Sequence, residues 1–600
     1  MSKINSIFQA EQFYNKAHLN FILFDVLGIQ NLGTHNHYEG YDQDAIQLYL
    51  DATDQLAKEH FLPIWLAMDR NQPVLENGTI KVHPNVKNIM QICGEGGWIN
   101  ALAKKEVGGL QMPMTVGYAA SFILGAANYS ATAFPYLTMG AAHLIESFAS
   151  KQLQEKYLSK MFSGNWQGTM ALTEPNAGSS LSDLVTSAEK MNDGTYKIKG
   201  QKIFISCGDS DAVDNVIHLM LARIKGAPKG TKGISLFVVP KFIEDENGKL
   251  ASNDVTTAGV YHKMGYKGAP IAHLMVGEND NCIGFLVGEE NKGLSYMFQM
   301  MNEARISVGL HATSIASAAY YNALQYTKER KQGRPISSKN PEAEQIPIIQ
   351  HADVKRILLF QKSFVEIALA LEMQCCFYED MKTISEGEEK EKYHLLLELL
   401  TPIAKSYPAE TACISTSLAI QCFGGYGYTK DFPAEQYYRE ARIHPIHEGT
   451  TAMHGMDLLG RKIMMQNGKA TMLLMQEAFK EIAVAKTNEA IANYAILLEK
   501  KLQQLQELTM ILVTKAQKKG AEVFLSDATL YLELFSFVVI AWQWLKLLNV
   551  SNKKNLENWQ NLLASATYFF EYEFPKTEAL LIRLKSEVEL TTNINESVFD

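Results

Sequence analysis

Apolar residues change their spacing twice along this chain, near Trp166 and again near Met297. Before the first change the steps are helical: between Asp44 and His60, Ile46, Leu48, Tyr49, Leu50, Leu56 and Ala57 recur among acids, and Met139–Phe162 carries a similar mixture. Steps of three and four residues line one face of a helix. From Trp166 the runs read as strands, at Leu184–Lys190, Thr195–Lys199, Lys202–Ser206, Val216–Arg223, Gly233–Pro240 and Ile271–Val276. Asp193-Gly194 is a hairpin signal between the first two, because a tight turn needs positive φ. Beyond Met297 the small residues Ala304, Gly309, Ala312, Ala316, Ala319 and Ala323 return to helical steps, which lets helices approach closely as in a bundle. Helices, then strands, then helices again read as an α+β fold.

The 600 residues, 47% hydrophobic and 20% charged, are enough for a large core and more than one domain. A net charge of −9 without a long basic run argues against a nucleic-acid partner, so an anionic ligand requires local basic residues. Seven cysteines lie scattered, with no CxxC or Cys/His metal spacing, which suits a reducing compartment and predicts no metal site. The opening MSKINSIFQAEQFYNK lacks the apolar core of a signal peptide, and a cytoplasmic location is expected. Val107–Ala142 contains no charge, but Pro113, Pro135 and many Gly, Ser, Thr and Asn residues interrupt it. It reads as a pair of buried helices, and no transmembrane span is expected.

The densest stretch is Gln421–Gly455, QCFGGYGYTKDFPAEQYYREARIHPIHEGTTAMHG. Gly424, Gly425 and Gly427 close a helix-like run from Thr411 to Phe423. Such glycines serve as a helix C-cap or leave bare N–H groups for a phosphate. By itself Glu448 reads as a solvated loop carboxylate. Together these residues resemble the C-terminal signature of the acyl-CoA dehydrogenase family, flavoproteins in which the glutamate of an EGT element removes the α-proton of an acyl thioester. Glu448, Gly449 and Thr450 match that element.

The same resemblance runs through other motifs. VGGLQMP at 107–113 and the run from Glu155 to Gly164 are similar to the family's N-terminal helical domain, which forms one wall of the acyl pocket. MALTEPNAGSS at 170–180 resembles the flavin loop. The resemblance implies FAD contacts for Met170, Leu172, Thr173 and Ser179, and an acyl-CoA contact for Ser179; Ser180 stands where the family usually has aspartate. Phe204, Ile205 and Ser206 match the aromatic–Ile–Thr/Ser element that packs on the flavin, with phenylalanine for the commoner tryptophan. Lys263–Gly265 and Gly268–Pro270 close the β region in the family's manner. Arg305 and Asn302 occupy substrate-side positions, with Gly449 also on the substrate. Arg330, Gln421, Gly424 and Gly425 match residues that touch the FAD of a neighbouring subunit, and Thr450 and Ala452 complete the implied FAD set.

The expected organisation is an N-terminal helical domain over 1–165, a β domain over 166–287, a helical FAD and catalytic domain over 288–467, and an extra C-terminal helical domain over 468–600. The last, with Leu498, Leu502, Leu505, Leu508 and Leu512 at helical steps, resembles that of long bacterial members, including those acting on 3-methylthiopropionyl-CoA. Its apolar stretch Leu530–Leu548 includes Glu533, Gln543 and Lys546, and reads as a bundle helix docking on the rest of the protein.

The implied reaction is FAD-dependent α,β-dehydrogenation of an acyl-CoA to the trans-2-enoyl-CoA, with Glu448 as base and hydride transfer to flavin N5. The implied partners are an electron-transferring flavoprotein and further copies of the chain, as a homodimer or higher homo-oligomer. Some relatives carry the base immediately before the arginine corresponding to Arg305; Ala304 stands there, and Glu303, one residue away, is the second choice. An acyl-CoA oxidase and a non-catalytic flavin-containing binding relative are the alternative readings.

Overall fold

The computed structural model describes residues 9–600, with backbone only at 298–301; residues 1–8, part of the stretch read for a signal peptide, lie outside it. The chain divides into two compact units, one of residues 32–304 and one combining the N-terminal segment to Asn31 with residues 305–600.

The first unit opens with helices α1 (Gln43–Leu56), α2 (Asn85–Glu95), α3 (Met114–Phe148) and α4 (Lys151–Phe162). Asp42 caps α1 by accepting the Ala45 N–H at 2.9 Å, which satisfies one of the donors left over at a helix start. The uncharged span expected as a pair of buried helices is α3, interrupted at Asn128 (φ −163°, ψ 94°). The Asn128 amide oxygen accepts from Ala131 N at 3.1 Å and caps the second segment, while its nitrogen donates to Phe61 O at 3.0 Å.

Eight strands follow: β1 (Trp166–Ala171), β2 (Ser187–Lys190), β3 (Tyr196–Ser206), β4 (Asn215–Ile224), β5 (Ile234–Pro240), β6 (Val255–Val260), β7 (Ile271–Val276) and β8 (Ile283–Val287). They form one sheet in the order β6-β7-β3-β8-β5-β4-β1, with β2 pairing β3 and β4. The Asp193-Gly194 turn joins β2 to β3 in register Lys190↔Tyr196. Asp193 Oδ1 accepts from Thr195 N (2.9 Å) and Oγ1 (2.7 Å), and Gly194 has φ +85°. The runs Thr195–Lys199 and Lys202–Ser206, expected as separate strands, are the two ends of the single long β3.

Helix α5 (Gly293–Glu329) contains the boundary between the units. The second unit continues with α6 (Ala352–Ile384), α7 (Gly387–Phe423), α8 (Ala434–Ala441) and α9 (Thr451–Gly460). Then come α10 (Lys469–Ala485), α11 (Ala492–Lys519), α12 (Ala528–Lys553), α13 (Trp559–Tyr568) and α14 (Lys576–Lys585). Leu498, Leu502, Leu505, Leu508 and Leu512 are all buried along α11. Helix α12 is long and apolar enough to cross a membrane, but 83% of its most apolar window is buried within the protein. It packs on α6, α7, α9, α10 and α11. The approach to α9 is closest at Gly455, where a Cβ would lie 2.8 Å from the Ala528 backbone. Around it, Ser363 Oγ donates to Ser565 O at 2.9 Å and Asn549 Nδ2 to Glu481 Oε2 at 2.7 Å.

The sequence reading grouped residues 1–165; the described N-terminal segment packs instead in this second unit. Ala10 N donates to Asn322 Oδ1 (2.9 Å), Phe13 O accepts from Ser317 Oγ (2.9 Å), and Asp25 Oδ1 accepts from Lys554 Nζ (2.8 Å). In the middle of α6 sits Glu372, fully buried, with one oxygen accepting from Thr313 Oγ1 at 2.9 Å and the other without a hydrogen-bond partner among the described residues. Burial drives its carboxyl well above the ordinary range, against a smaller downward pull from the Thr313 hydroxyl.

Candidate active site

In the second unit, the loop between α8 and α9 delivers Glu448, Gly449 and Thr450. Glu448 has φ +51° and Gly449 φ +90°, two successive left-handed residues, a conformation a residue with a Cβ adopts only at a cost of order 1–3 kcal/mol. Two side chains hold the turn. Lys405 Nζ, from α7, donates to Gly449 O at 2.8 Å, and His454 Nε2, from α9, lies 3.1 Å from Glu448 O. Gly449 is required there, because a Cβ would meet His454 Nε2 at 2.9 Å.

Glu448 is exposed to solvent on one side although protein atoms crowd its carboxyl on the other. That crowding raises its carboxyl above the ordinary range, opposed by the charges of Arg305 and Lys405. Lys405 is itself fully buried. Burial lowers it to about 8, with Glu410 and then Glu448 pulling it back up. Arg305 is committed to Asp457, Nη1 to Oδ2 at 3.1 Å, and its buried Nε has no partner among the described residues. The surrounding imidazoles are neutral. Burial lowers His447 and His454 to about 3 and His311 to about 4, and holds His444 well below the usual histidine range. The corner therefore presents the Glu448 carboxylate, the cations Lys405 and Arg305, the latter paired with Asp457, and a set of uncharged rings.

Thr450 is the N-cap residue of α9, and Ala452 lies exposed in its first turn. Gln421, Gly424 and Gly425 are exposed at the C-terminal end of α7, where Gly424 has φ +60° and no heavy atom lies within 4 Å of a Cβ built on Gly424 or Gly425. Arg330 is exposed just past the end of α5, with Nη2 3.3 Å from Gln332 Oε1. Tyr326 stacks on Phe423 at 4.3 Å, which brings Arg330 and the glycine turn to one end of the bundle. Glu448 is not at that end. Its neighbours Lys405 and Arg305 lie eighteen residues before Phe423 on α7 and twenty-five before Arg330 on and beyond α5. At about 1.5 Å per residue those separations are roughly 27 Å and 37 Å.

In the first unit, Met170 lies one residue before the end of β1, and Leu172 and Thr173 follow the strand, all three half-buried. Thr173 O accepts from Ile203 N at 2.9 Å. Under this loop lies a buried pair that sequence reasoning missed. Lys202 Nζ donates to Glu174 Oε1 (2.8 Å) and Leu172 O (3.0 Å), while Glu174 also accepts from Val185 N (2.6 Å) and Thr186 N (3.1 Å). Burial would raise Glu174, but the Lys202 charge and these donors hold it below the usual range; burial lowers Lys202 to about 8. Ser179 and Ser180 are exposed, the latter's hydroxyl 2.7 Å from that of Ser182.

Phe204 sits on a bulge. Ala272 pairs with Ile205 and Leu274 with Lys202, so Ile203 and Phe204 together oppose His273. With φ +58° the ring turns outward, 58% exposed, and stacks on Tyr261 at 4.6 Å, while Ile205 is buried and Ser206 half-buried. On α5, Asn302 is half-buried, and Glu303 lies 3.5 Å from His143 Nδ1 and accepts the Tyr118 hydroxyl at its backbone oxygen at 3.1 Å.

Four family models match in sequence order: the acyl-CoA dehydrogenase N-terminal domain over 43–165, the middle domain over 169–278, the C-terminal domain over 291–463, and an acetyl-CoA dehydrogenase C-terminal-like domain over 474–594. The chain is 38% identical to 3-methylmercaptopropionyl-CoA dehydrogenase of Ruegeria pomeroyi over 72% of this chain and 73% of that one. It is 36% identical to a butyryl-CoA dehydrogenase of Syntrophomonas wolfei over 76% of each. Two solved structures share the fold at 20% identity: Caenorhabditis elegans ACDH-11 in complex with C11-CoA (TM-score 0.78, covering 93% of this chain and 91% of that one) and acyl-CoA dehydrogenase complexed with FAD from Bacillus anthracis (TM-score 0.72, 93% and 90%). With these models in order along the chain and a relative alike over nearly three quarters of both sequences, the chain belongs to the acyl-CoA dehydrogenase family and is an FAD-dependent oxidoreductase of acyl-CoA thioesters.

Proposed function

We propose that Glu448 is the base that removes the α-proton of the bound acyl thioester. The observation that carries this is the turn itself: a carboxylate raised by crowding, on a strained backbone whose two carbonyls are each held by a buried side chain. A base shifted upward toward the working pH takes a proton more effectively than an ordinary carboxylate. The Glu448 N–H donates to no acceptor among the described residues, which leaves it available for the thioester oxygen, where charge develops as the proton leaves. Arg305 and Lys405 stabilise the carboxylate before the proton arrives.

The residues present fit FAD: the exposed Phe204 ring offers a face to a flat heterocycle, and the open Gly424–Gly425 turn lets backbone N–H groups approach a phosphate or ribose. Bound FAD supplies the two-electron acceptor for the hydride that leaves Cβ. Met170, Leu172, Thr173, Ser179, Ile205, Ser206, Thr450 and Ala452 would hold it. Arg330, Gln421, Gly424 and Gly425, roughly 24–37 Å from the Glu448 corner along their helices, support a site completed by a second copy of the chain. A guanidinium at Arg330 suits a pyrophosphate. Asn302, Arg305, Gly449 and Ser179 would contact the acyl-CoA. The relatives' names favour a short, unbranched acyl group. An electron-transferring flavoprotein as acceptor and a cytoplasmic location complete the reading.

Glu448→Gln tests it. The amide is nearly isosteric but takes no proton, so FAD content and acyl-CoA binding are expected to persist while turnover falls by roughly 10²–10⁴-fold. Near-normal anaerobic bleaching of the flavin by butyryl-CoA in this variant would move the base elsewhere, with Glu303 next in line.

A further inference from the structure

We propose that Lys405 is a positioning residue of this reaction: its ammonium group fixes the Gly449 carbonyl beside the base and supplies the buried positive charge against which the Glu448 carboxylate forms. The proposal rests on Glu448 being the base.

Three observations carry it. First, Lys405 has no exposed surface, yet its Nζ is aimed at a single backbone oxygen of the catalytic turn, Gly449 O, at 2.8 Å. A buried ammonium group is costly unless it is hydrogen-bonded and faces opposite charge, so a lysine kept there has a partner that needs it. Second, the turn contains two consecutive left-handed residues, and such a backbone persists only where its surroundings over-determine it. His454 restrains the first carbonyl and Lys405 the second, from two different helices. Third, the other cation of the corner, Arg305, is engaged with Asp457, which Arg461 also binds at 2.8 Å. Arg305 and Lys405 both act on the Glu448 carboxylate, Arg305 the more strongly, and Lys405 is the one of the two that also grips the turn.

The charged and titratable groups around Lys405 come from every element packed there. Glu410 lies on its own helix and accepts a hydrogen bond from Thr451 Oγ1, Arg305 and His311 belong to α5, Glu448, His444 and His447 to the preceding segment, and His454 and Asp457 to α9. The histidines are neutral, so among the described residues the charges that act on it are Glu410, Glu448 and Arg305. With burial lowering Lys405 to about 8, it is cationic at acid and neutral pH. Its charge therefore favours the ionised base.

The test uses full-length, FAD-loaded enzyme and follows anaerobic flavin bleaching by butyryl-CoA from pH 5 to 9, in wild type, Lys405→Met and Lys405→Gln. Methionine keeps the stem and loses charge and donor; the acid limb of the rate profile is expected to move up by about one pH unit, with the plateau reduced roughly tenfold. Glutamine restores an N–H donor without charge, so its limb stays displaced while its plateau recovers. FAD content and butyryl-CoA binding stay near wild type in both. An unmoved acid limb in both variants overturns the proposal, and if Lys405→Met fails to retain FAD, the limb of Lys405→Gln decides. Glu448→Gln runs in parallel: sustained bleaching there sinks the base assignment, whereas a dead Glu448→Gln beside unmoved Lys405 limbs sinks the role of Lys405 alone.

Discussion

Glu372→Gln is expected to change how stability depends on pH without touching the catalytic corner. The native carboxyl is fully buried in α6, receives one hydroxyl hydrogen bond and faces no cation that lowers it, so it stays protonated well above the usual carboxylate range. In the unfolded chain the same group ionises near pH 4.3. Between those limits the folded state holds one proton more than the unfolded state, and stability falls as pH rises, by about 1.4 kcal/mol per pH unit. Spread over a cooperative unit of about 330 residues at ~2.1 cal/mol/K per residue, each such pH unit is worth about 2 °C in melting temperature. Glutamine does not titrate, so the difference in melting temperature between variant and wild type should widen with pH at about that rate. A constant offset from the buried amide N–H groups shifts both ends equally and cancels. The assay is flavin-fluorescence melting of both proteins at one scan rate from pH 5.5 to 7.5. Parallel curves would refute the protonated, buried state of Glu372.

Arg330→Ala should weaken FAD retention on gel filtration by about tenfold or more, while excess FAD restores turnover; unchanged retention would dissociate this arginine from the cofactor. Sedimentation of a fully flavinated, active monomer would refute a site built from two copies. A chain ending at Gly468 removes α12 and uncovers the apolar faces of α6, α7 and α9 that it packs against, a patch larger than the ~300–600 Å² that soluble monomers expose. It should aggregate and lose turnover despite retaining Glu448, and a soluble, fully active truncation would make the extra helices dispensable.

Local rules made much of the fold legible. The Asp193-Gly194 turn, the leucine steps of α11 and the end of α7 at Phe423 follow from turn chemistry and periodicity that need no distant partner. Strands β1, β6 and β8 did not stand out, because short runs such as Val255–Val260 acquire their meaning only from pairing with segments far along the chain. In the corner around Glu448, the EGT element was visible but its supports were not. Lys405 is the lone charge between Leu399 and Ala409 in an otherwise uncharged helical run, a signal that a side chain is buried with a partner, though nothing local names Gly449 as that partner. Glu174 and Lys202 were likewise unreadable as a pair, because they lie twenty-eight residues apart on different sides of a hairpin.

The N-terminal strap sets the order in which this protein can be completed at the ribosome. Residues 32–304 form a compact unit from contiguous sequence and can fold as they emerge, but the other unit joins a segment before residue 32 to residues 305–600. Asp25 waits for Lys554, and the segment around Ala10 and Phe13 waits for Ser317 and Asn322. At ~5–20 residues per second, the strap stays unsatisfied for roughly 25–100 s after Asp25 leaves the tunnel, with Phe13, Leu19 and Phe21–Leu27 uncovered throughout. The nascent chain therefore carries an apolar segment in search of a partner until residues 305–600 are made, a natural binding site for a holdase chaperone.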